Sequence, residues 1–185
     1  MIGKKTLFVL GINIFVFILA TAGAFAFRPG TILQLKNLKK CQNCDLSSAD
    51  LTAMDLTEAE LQGANMSGAN FSTANLGGAN LTYADMAGAK LSNVNLAGAK
   101  LSNANLTAAN LIKATLTGAD LTDANLTNAK LIDARLSNAN LTNANLTGAR
   151  MNNAVLRDAN LTGATLTGAR MDGVTWLDGT TCKEG

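Results

Sequence analysis

The chain has 185 residues, 48% of them hydrophobic but only 4% aromatic, with one proline and no histidine. That length suits one domain, and an apolar fraction made mostly of Ala and Leu does not suit a conventional mixed core. Formal charge is +2, and without Lys4 and Lys5 at the N-terminus it falls to zero, which excludes the basic footprint of a nucleic-acid-binding domain, so no nucleic-acid partner is expected.

Residues 1–27 read as a targeting segment. Lys4 and Lys5 precede an apolar run from Leu7 to Phe27 that ends in small residues, Thr21-Ala22-Gly23-Ala24-Phe25-Ala26. Ala22-x-Ala24 and Ala24-x-Ala26 offer the short side chains a signal peptidase cleft accepts, so a cleaved signal peptide is the preferred reading. The run is also long enough for an uncleaved anchor, which would attach the protein to a membrane. Both readings place the remainder of the chain outside the cytoplasm.

Residues 28–43 form a junction. Pro29 to Lys40 is expected to be a short amphipathic helix, with Pro near its start and Ile32, Leu33, Leu35 and Leu38 partly sharing a face. Such a helix would cap the body formed by the residues after it. Cys41-Gln42-Asn43-Cys44 is a C-x-x-C, open to three readings: a disulfide, a redox pair or half of a zinc site. Zinc is the weakest, because there is no His and Cys182 lies at the far end of the chain. Outside the cytoplasm a structural Cys41–Cys44 disulfide is favoured.

From residue 44 to 178 the sequence repeats a five-residue phrase without insertion or deletion, as in Ala74-Asn75-Leu76-Gly77-Gly78 and Ala144-Asn145-Leu146-Thr147-Gly148. The large apolar centre recurs at every fifth position from Leu46 to Trp176, 27 centres in one frame. A period of five matches neither a helix nor an isolated strand, so the chain must turn at every repeat. Centres are Leu except Met66, Phe71, Met86, Met151, Met171 and Trp176, and two residues earlier stands Ala except at Cys44, Met54, Val94 and Val174. Those two positions are expected inside, and Asn, Asp, Ser, Thr and Gly at the corners.

The Ala-(Asn/Asp)-Leu-x-x phrase resembles that of the pentapeptide repeat family over the whole stretch from Cys44 to Asp178. The resemblance implies an all-β, right-handed, four-sided parallel β-helix with one pentad per side. Residues 20 apart would then stack at about the 4.7–4.9 Å of hydrogen-bonded strands, giving a rod about 32 Å long. Met66 would lie over Met86 and Met151 over Met171, with Trp176 closing the last coil. The export leader, the C-x-x-C-Asp-Leu entry and the Ala-Asn-Leu repeats look like those of cyanobacterial members, implying the periplasm or thylakoid lumen. The resemblance supplies no reaction.

Six pentads carry a cation just before the centre: Lys90, Lys100, Lys130, Arg135, Arg150 and Arg170. A 20-residue coil puts Lys90, Lys130, Arg150 and Arg170 on one side with Asn110. This stripe suits an anionic partner or lipid headgroups, or is solvated charge that blocks aggregation. Ile112 and Ile132, also 20 apart, would form a small outward apolar patch. The tail, 179–185, contains Cys182, a thiol free or available for a bond between molecules.

No nucleophile, base and orienting group come together in this sequence, so no enzyme activity, catalytic residue, cofactor or metal is expected. The preferred reading is a noncatalytic extracytoplasmic rod that is structural or binds a protein of unknown identity. A thiol-dependent redox or regulatory protein acting through Cys41 and Cys44 is the alternative. A DNA mimic that protects or inhibits DNA gyrase, a role some family members have, comes third: the leader would part the protein from gyrase, and the basic stripe crosses most of the rod.

Overall fold

The computed structural model describes residues 29–176, so the leader, Leu177, Asp178 and the tail with Cys182 lie outside the described residues. The first element, α1, spans Pro29–Leu38. Its proline sits at the first helical position, where the missing N–H costs nothing. Its end falls before the expected Lys40 because Lys39 turns to a left-handed φ of 52° and donates its N–H to the Leu35 carbonyl at 2.8 Å. Leu35 is fully buried and Ile32 partly so, both against the core of the repeats. Leu38 departs from the expected shared face: it is 60% exposed, standing at the last helical residue where the chain already turns away.

Beyond α1 the chain coils. Twenty-four parallel bridges run from Lys40↔Glu60 to Val155↔Thr175, each joining residues 20 apart, so four pentads make one coil. Each side is too short to be a strand of any length and contributes a single bridge residue, the one before the centre. The coil closes because every centre carbonyl from Leu46 to Met171 accepts the N–H three residues on, as in Ala49 to Leu46 at 3.0 Å, with a left-handed residue between, here Ser48 at φ 57°. A bonded four-residue turn whose third residue alone has positive φ is type II.

The left-handed position falls at every fifth residue from Asn43 to Gly173. Gly and Asn fill most of these corners, as type II chemistry requires. Ala53, Glu58, Thr73, Tyr83, Ala108 and Lys113 occupy the same conformation without that excuse.

The core is a column, not a layer. Centres from Leu46 to Leu156 are fully buried, and the small residues two before them nearly all so. The bridges place Met66 over Met86 and Met151 over Met171, as the resemblance implies. Each buried centre contributes about 1.5–3 kcal/mol before chain entropy is subtracted. In the last described coil Leu161, Leu166, Met171 and Trp176 are only partly buried, since no described coil covers them. No polar or charged residue is buried among those described.

Candidate functional site

The sides of the coil carry whatever recognition this chain performs, and their chemistry depends on where the backbone N–H groups go. Three of the five N–H groups in a pentad bond to a neighbouring coil. The centre does so in Leu46 to Asn65 at 2.7 Å, the corner in Ser48 to Ser67 at 2.9 Å, and the residue before the centre in Asn65 back to Cys44 at 2.9 Å. A fourth closes the turn. The fifth, one residue after the centre, has no carbonyl to meet and needs another acceptor.

That acceptor is the side chain two residues earlier. Asp45 Oδ1 accepts the Ser47 N–H at 3.0 Å, Asn65 Oδ1 that of Ser67 at 3.2 Å, and Asn145 Oδ1 that of Thr147 at 3.0 Å. Every Asn and Asp before a centre makes this bond, which is the reason those two residues dominate the position. Where a Thr or Ser comes after the centre, its hydroxyl commonly donates to the same oxygen, as Thr147 does at 2.7 Å. Side-chain amides extend the network between coils: Asn95 Nδ2 donates to Asn75 Oδ1 at 2.8 Å and Asn105 Nδ2 to Asp85 Oδ1 at 2.9 Å.

Asp45, Asp50, Asp55 and Asp120, all in this position, are held in the charged form. The Thr57 hydroxyl, the Thr57 N–H and Lys39 together lower Asp55 to about 2. Asp45 is lowered by the N–H and hydroxyl of Ser47, and Asp50 mainly by the hydroxyl and N–H of Thr52. Burial opposes ionisation of Asp120, but the hydroxyls of Thr122 and Ser102 prevail and its value also falls.

A cation before the centre has no oxygen to offer. Lys90, Lys100, Lys130, Arg135, Arg150 and Arg170 each replace the local acceptor and leave the next N–H after the centre without a protein partner among the described residues. Sequence reading missed this cost, although it is implied by the regular Asn-x-(Ser/Thr) alternation. The structure places the predicted stripe on one side through the bridges Lys90↔Asn110, Asn110↔Lys130, Lys130↔Arg150 and Arg150↔Arg170. All four cations are exposed. Among the described residues the ion pairs are Lys39–Asp55 and Lys40–Glu60, so none of the four is paired. Lys100 and Arg135 stand on two other sides, bridged to Asn80 and Asp120, and to Thr115 and Val155.

Ile112 and Ile132 belong to the stripe's own side. Ile112 donates its N–H to Asn110 Oδ1 at 3.3 Å, and both isoleucines are half-buried. The 18-residue step that joins Asn70 Nδ2 to Thr52 Oγ1 at 2.8 Å sets Ile112 beside Lys130 and Ile132 beside Arg150. At the other end, the structure brings Cys41 and Cys44 into contact with Cα atoms 5.4 Å apart, Cys41 buried and Cys44 partly buried at the head of the core. Among the described residues no three metal-ligating side chains gather, and no helix is long and apolar enough to cross a membrane.

The family model for pentapeptide repeats matches residues 40–72, 69–107, 104–143 and 139–175. The chain belongs to the pentapeptide repeat family. Among solved structures it is similar to a pentapeptide repeat protein, Rfr23, from the cyanobacterium Cyanothece, at 26% identity over 80% of this chain and 97% of that one, with a TM-score of 0.46. HetL, a pentapeptide repeat protein involved in heterocyst differentiation regulation in the cyanobacterium Nostoc, aligns at 26% identity over 85% and 100%, with a TM-score of 0.31. A pentapeptide repeat protein of the Arabidopsis thaliana thylakoid lumen aligns at 29% identity over 57% and 66%, with a TM-score of 0.35. No protein of curated function matches the sequence.

Proposed function

We propose that this pentapeptide repeat protein is a noncatalytic, extracytoplasmic rod that holds a protein partner along its straight sides. The observation that carries this reading is the unbroken 20-residue register, which fixes surface side chains in columns from Lys40 to Thr175. A surface whose side chains are already tied by Asn and Asp bonds loses little freedom on binding, so it suits recognition by a preformed face. In this reading the helix α1 caps the first coil, a Cys41–Cys44 disulfide staples the entry, and the leader delivers the rod to the periplasm or thylakoid lumen.

The test is to fractionate cells, determine the N-terminus of the mature protein, and place a photo-crosslinking residue on each of the four sides in turn. A partner captured from one side, on a product shortened at its N-terminus or held at a membrane, is the expected result. A full-length soluble product in the cytoplasm would refute the export reading and return the DNA-mimic alternative to the front.

A further inference from the structure

We infer that the side carrying Lys90, Lys130, Arg150 and Arg170 is a docking face for an anionic lipid surface. The first ground is a local sacrifice of hydrogen bonding. Each of these cations removes the oxygen that would accept the N–H two residues on, and no ion pair compensates among the described residues. A residue that breaks the local rule at several stacked positions without a compensating contact in the fold marks a site with another use.

The second ground is shape and composition. Lys90 to Arg170 spans four coil steps, about 19 Å at the usual inter-strand spacing, along one straight side. Lys113 adds a fifth exposed cation at the corner of that side. The acids in the same stretch are Asp133 and Asp172, which accept from Asn153 Nδ2 at 3.2 Å and Asn152 Nδ2 at 2.7 Å. Cations therefore prevail. Ile112 and Ile132 lie between them, an arrangement that sets aliphatic groups into the headgroup boundary while the longer basic side chains reach phosphates. A protein partner would be expected to find an aromatic anchor, but Tyr83, the exposed aromatic among the described residues, stands on another side. A plane of positive charge and short aliphatics matches a plane of anionic headgroups.

This inference does not depend on the protein-binding proposal, since it uses one side and leaves three free. The decisive variant is Lys130→Asn/Arg150→Asn/Arg170→Asn, which restores the local acceptor and so separates binding from folding. Its control, Lys100→Asn/Arg135→Asn/Arg157→Asn, removes the same charge from other sides. The full chain is mixed with vesicles of phosphatidylcholine alone and of phosphatidylcholine with phosphatidylglycerol, which subtracts any association through the apolar N-terminal run. Wild type and control are expected to bind the anionic vesicles at least about tenfold more tightly than the neutral ones, with the preference lost at high salt. The stripe variant is expected to lose that preference with an unchanged or higher thermal midpoint. Equal binding of wild type to both vesicles overturns the inference, as does equal binding of the stripe variant and the control. A crosslink from Lys130 or Arg150 to an acidic protein, with indifference to vesicle charge, would transfer the face to a protein partner and overturn it too.

Discussion

Lys39 Nζ donates to Asp55 Oδ2 at 3.1 Å, tying the residue that ends α1 to the side of the coil below it. Lys39 also reaches the Thr57 carbonyl at 3.3 Å, while Asp55 Oδ1 accepts both the N–H and the hydroxyl of Thr57, at 3.1 and 2.6 Å. The carboxylate is thus shared between a turn of its own pentad and the helix that precedes the repeats. Lys40 and Glu60, 3.0 Å apart, repeat the connection on the neighbouring side.

The network concentrates acid sensitivity in the N-terminal coils, with Asp120 a further lowered carboxylate in the middle of the rod. Asp55 ionises near 2 in the folded chain against an ordinary 3.8, mostly through the Thr57 hydroxyl. A lowered carboxylate value means that the folded state favours the charged form, so its stabilisation is complete above the ordinary value and fades as pH falls from about 4 through 2. Asp45 and Asp50 shift in the same direction and add to the effect. In carboxyl-carbon titrations by NMR, Thr57→Val should bring Asp55 back toward its ordinary value. A Thr57→Val protein with Asp55 still near 2 would show that the hydroxyl is not the principal cause.

The Asn and Asp positions should be worth a backbone hydrogen bond each. Asn145→Ala removes the acceptor for the Thr147 N–H and hydroxyl, and should cost about 1 kcal/mol in denaturant unfolding. Lys130→Asn should act in the opposite direction by supplying an acceptor to the Ile132 N–H. Equal stability of Asn145→Ala and wild type would mean that water satisfies the N–H as well as the side chain does, and the preference for Asn would then need another cause.

How far the sequence carried is clear from these same residues. The period of five, with Leu and Ala at fixed places, requires a turn at every repeat and marks the inward positions, because no straight element keeps all those apolar groups on one face. The 20-residue columns come from the resemblance to the family, since a period of five does not say how many repeats close a coil. What the pattern hides is the division of labour among polar positions. Asn before a centre and Asn at a corner look alike in the sequence, yet Asn65 accepts an N–H while Asn103 adopts a φ of 60°. The neighbourhood of Ile112 with Lys130 and of Ile132 with Arg150 is hidden for a related reason, since residues 18 apart in sequence become neighbours only once the coil is closed. Leu38 failed for a different reason, since the spacing of apolar residues in a helix of ten residues does not reveal where Lys39 will turn the chain.

Corners that ignore the glycine rule offer a stabilising change. Thr73 holds φ 60° although it is β-branched, and Tyr83 holds φ 59° with a bulky exposed ring. A left-handed conformation costs about 1–2 kcal/mol for residues other than Gly, and less for Asn and Asp. Thr73→Asn should therefore raise stability by about 1 kcal/mol in chemical denaturation. A decrease on substitution would indicate that the Thr73 hydroxyl, which donates to the Ser72 carbonyl at 2.6 Å, contributes more than the strain removes.

Reduction should loosen the entry and leave the rest of the rod intact. Cys41 and Cys44 are three residues apart, and closing so short a loop contributes at most about 2 kcal/mol by chain entropy. Because each coil contacts only its neighbours, that loss should stay local. Hydrogen exchange with and without a reductant is expected to show faster amides in the first coil, near Cys41, Asn43 and Leu46, and no change beyond Leu81. Uniform acceleration along the chain would mean that the entry controls the stability of the whole solenoid, and no change anywhere would mean that the cysteines are not bonded.

Trp176 should guard the opposite end. It is the last described centre, packed partly buried against the core, and the Leu156 N–H donates to the Thr175 carbonyl at 2.8 Å, which fixes Trp176 above Leu156. Trp176→Asp sets a carboxylate where the indole covers that column, so the charge must either dehydrate or turn outward and uncover Leu156. The loss is about 3 kcal/mol, confined to the last coil because the coils below it keep their own bridges. Amide protection should fall between residues 156 and 176 and persist below 136, with Trp176→Phe retaining most of it. Wild-type protection of the last coil in Trp176→Asp would show that the tryptophan closes nothing.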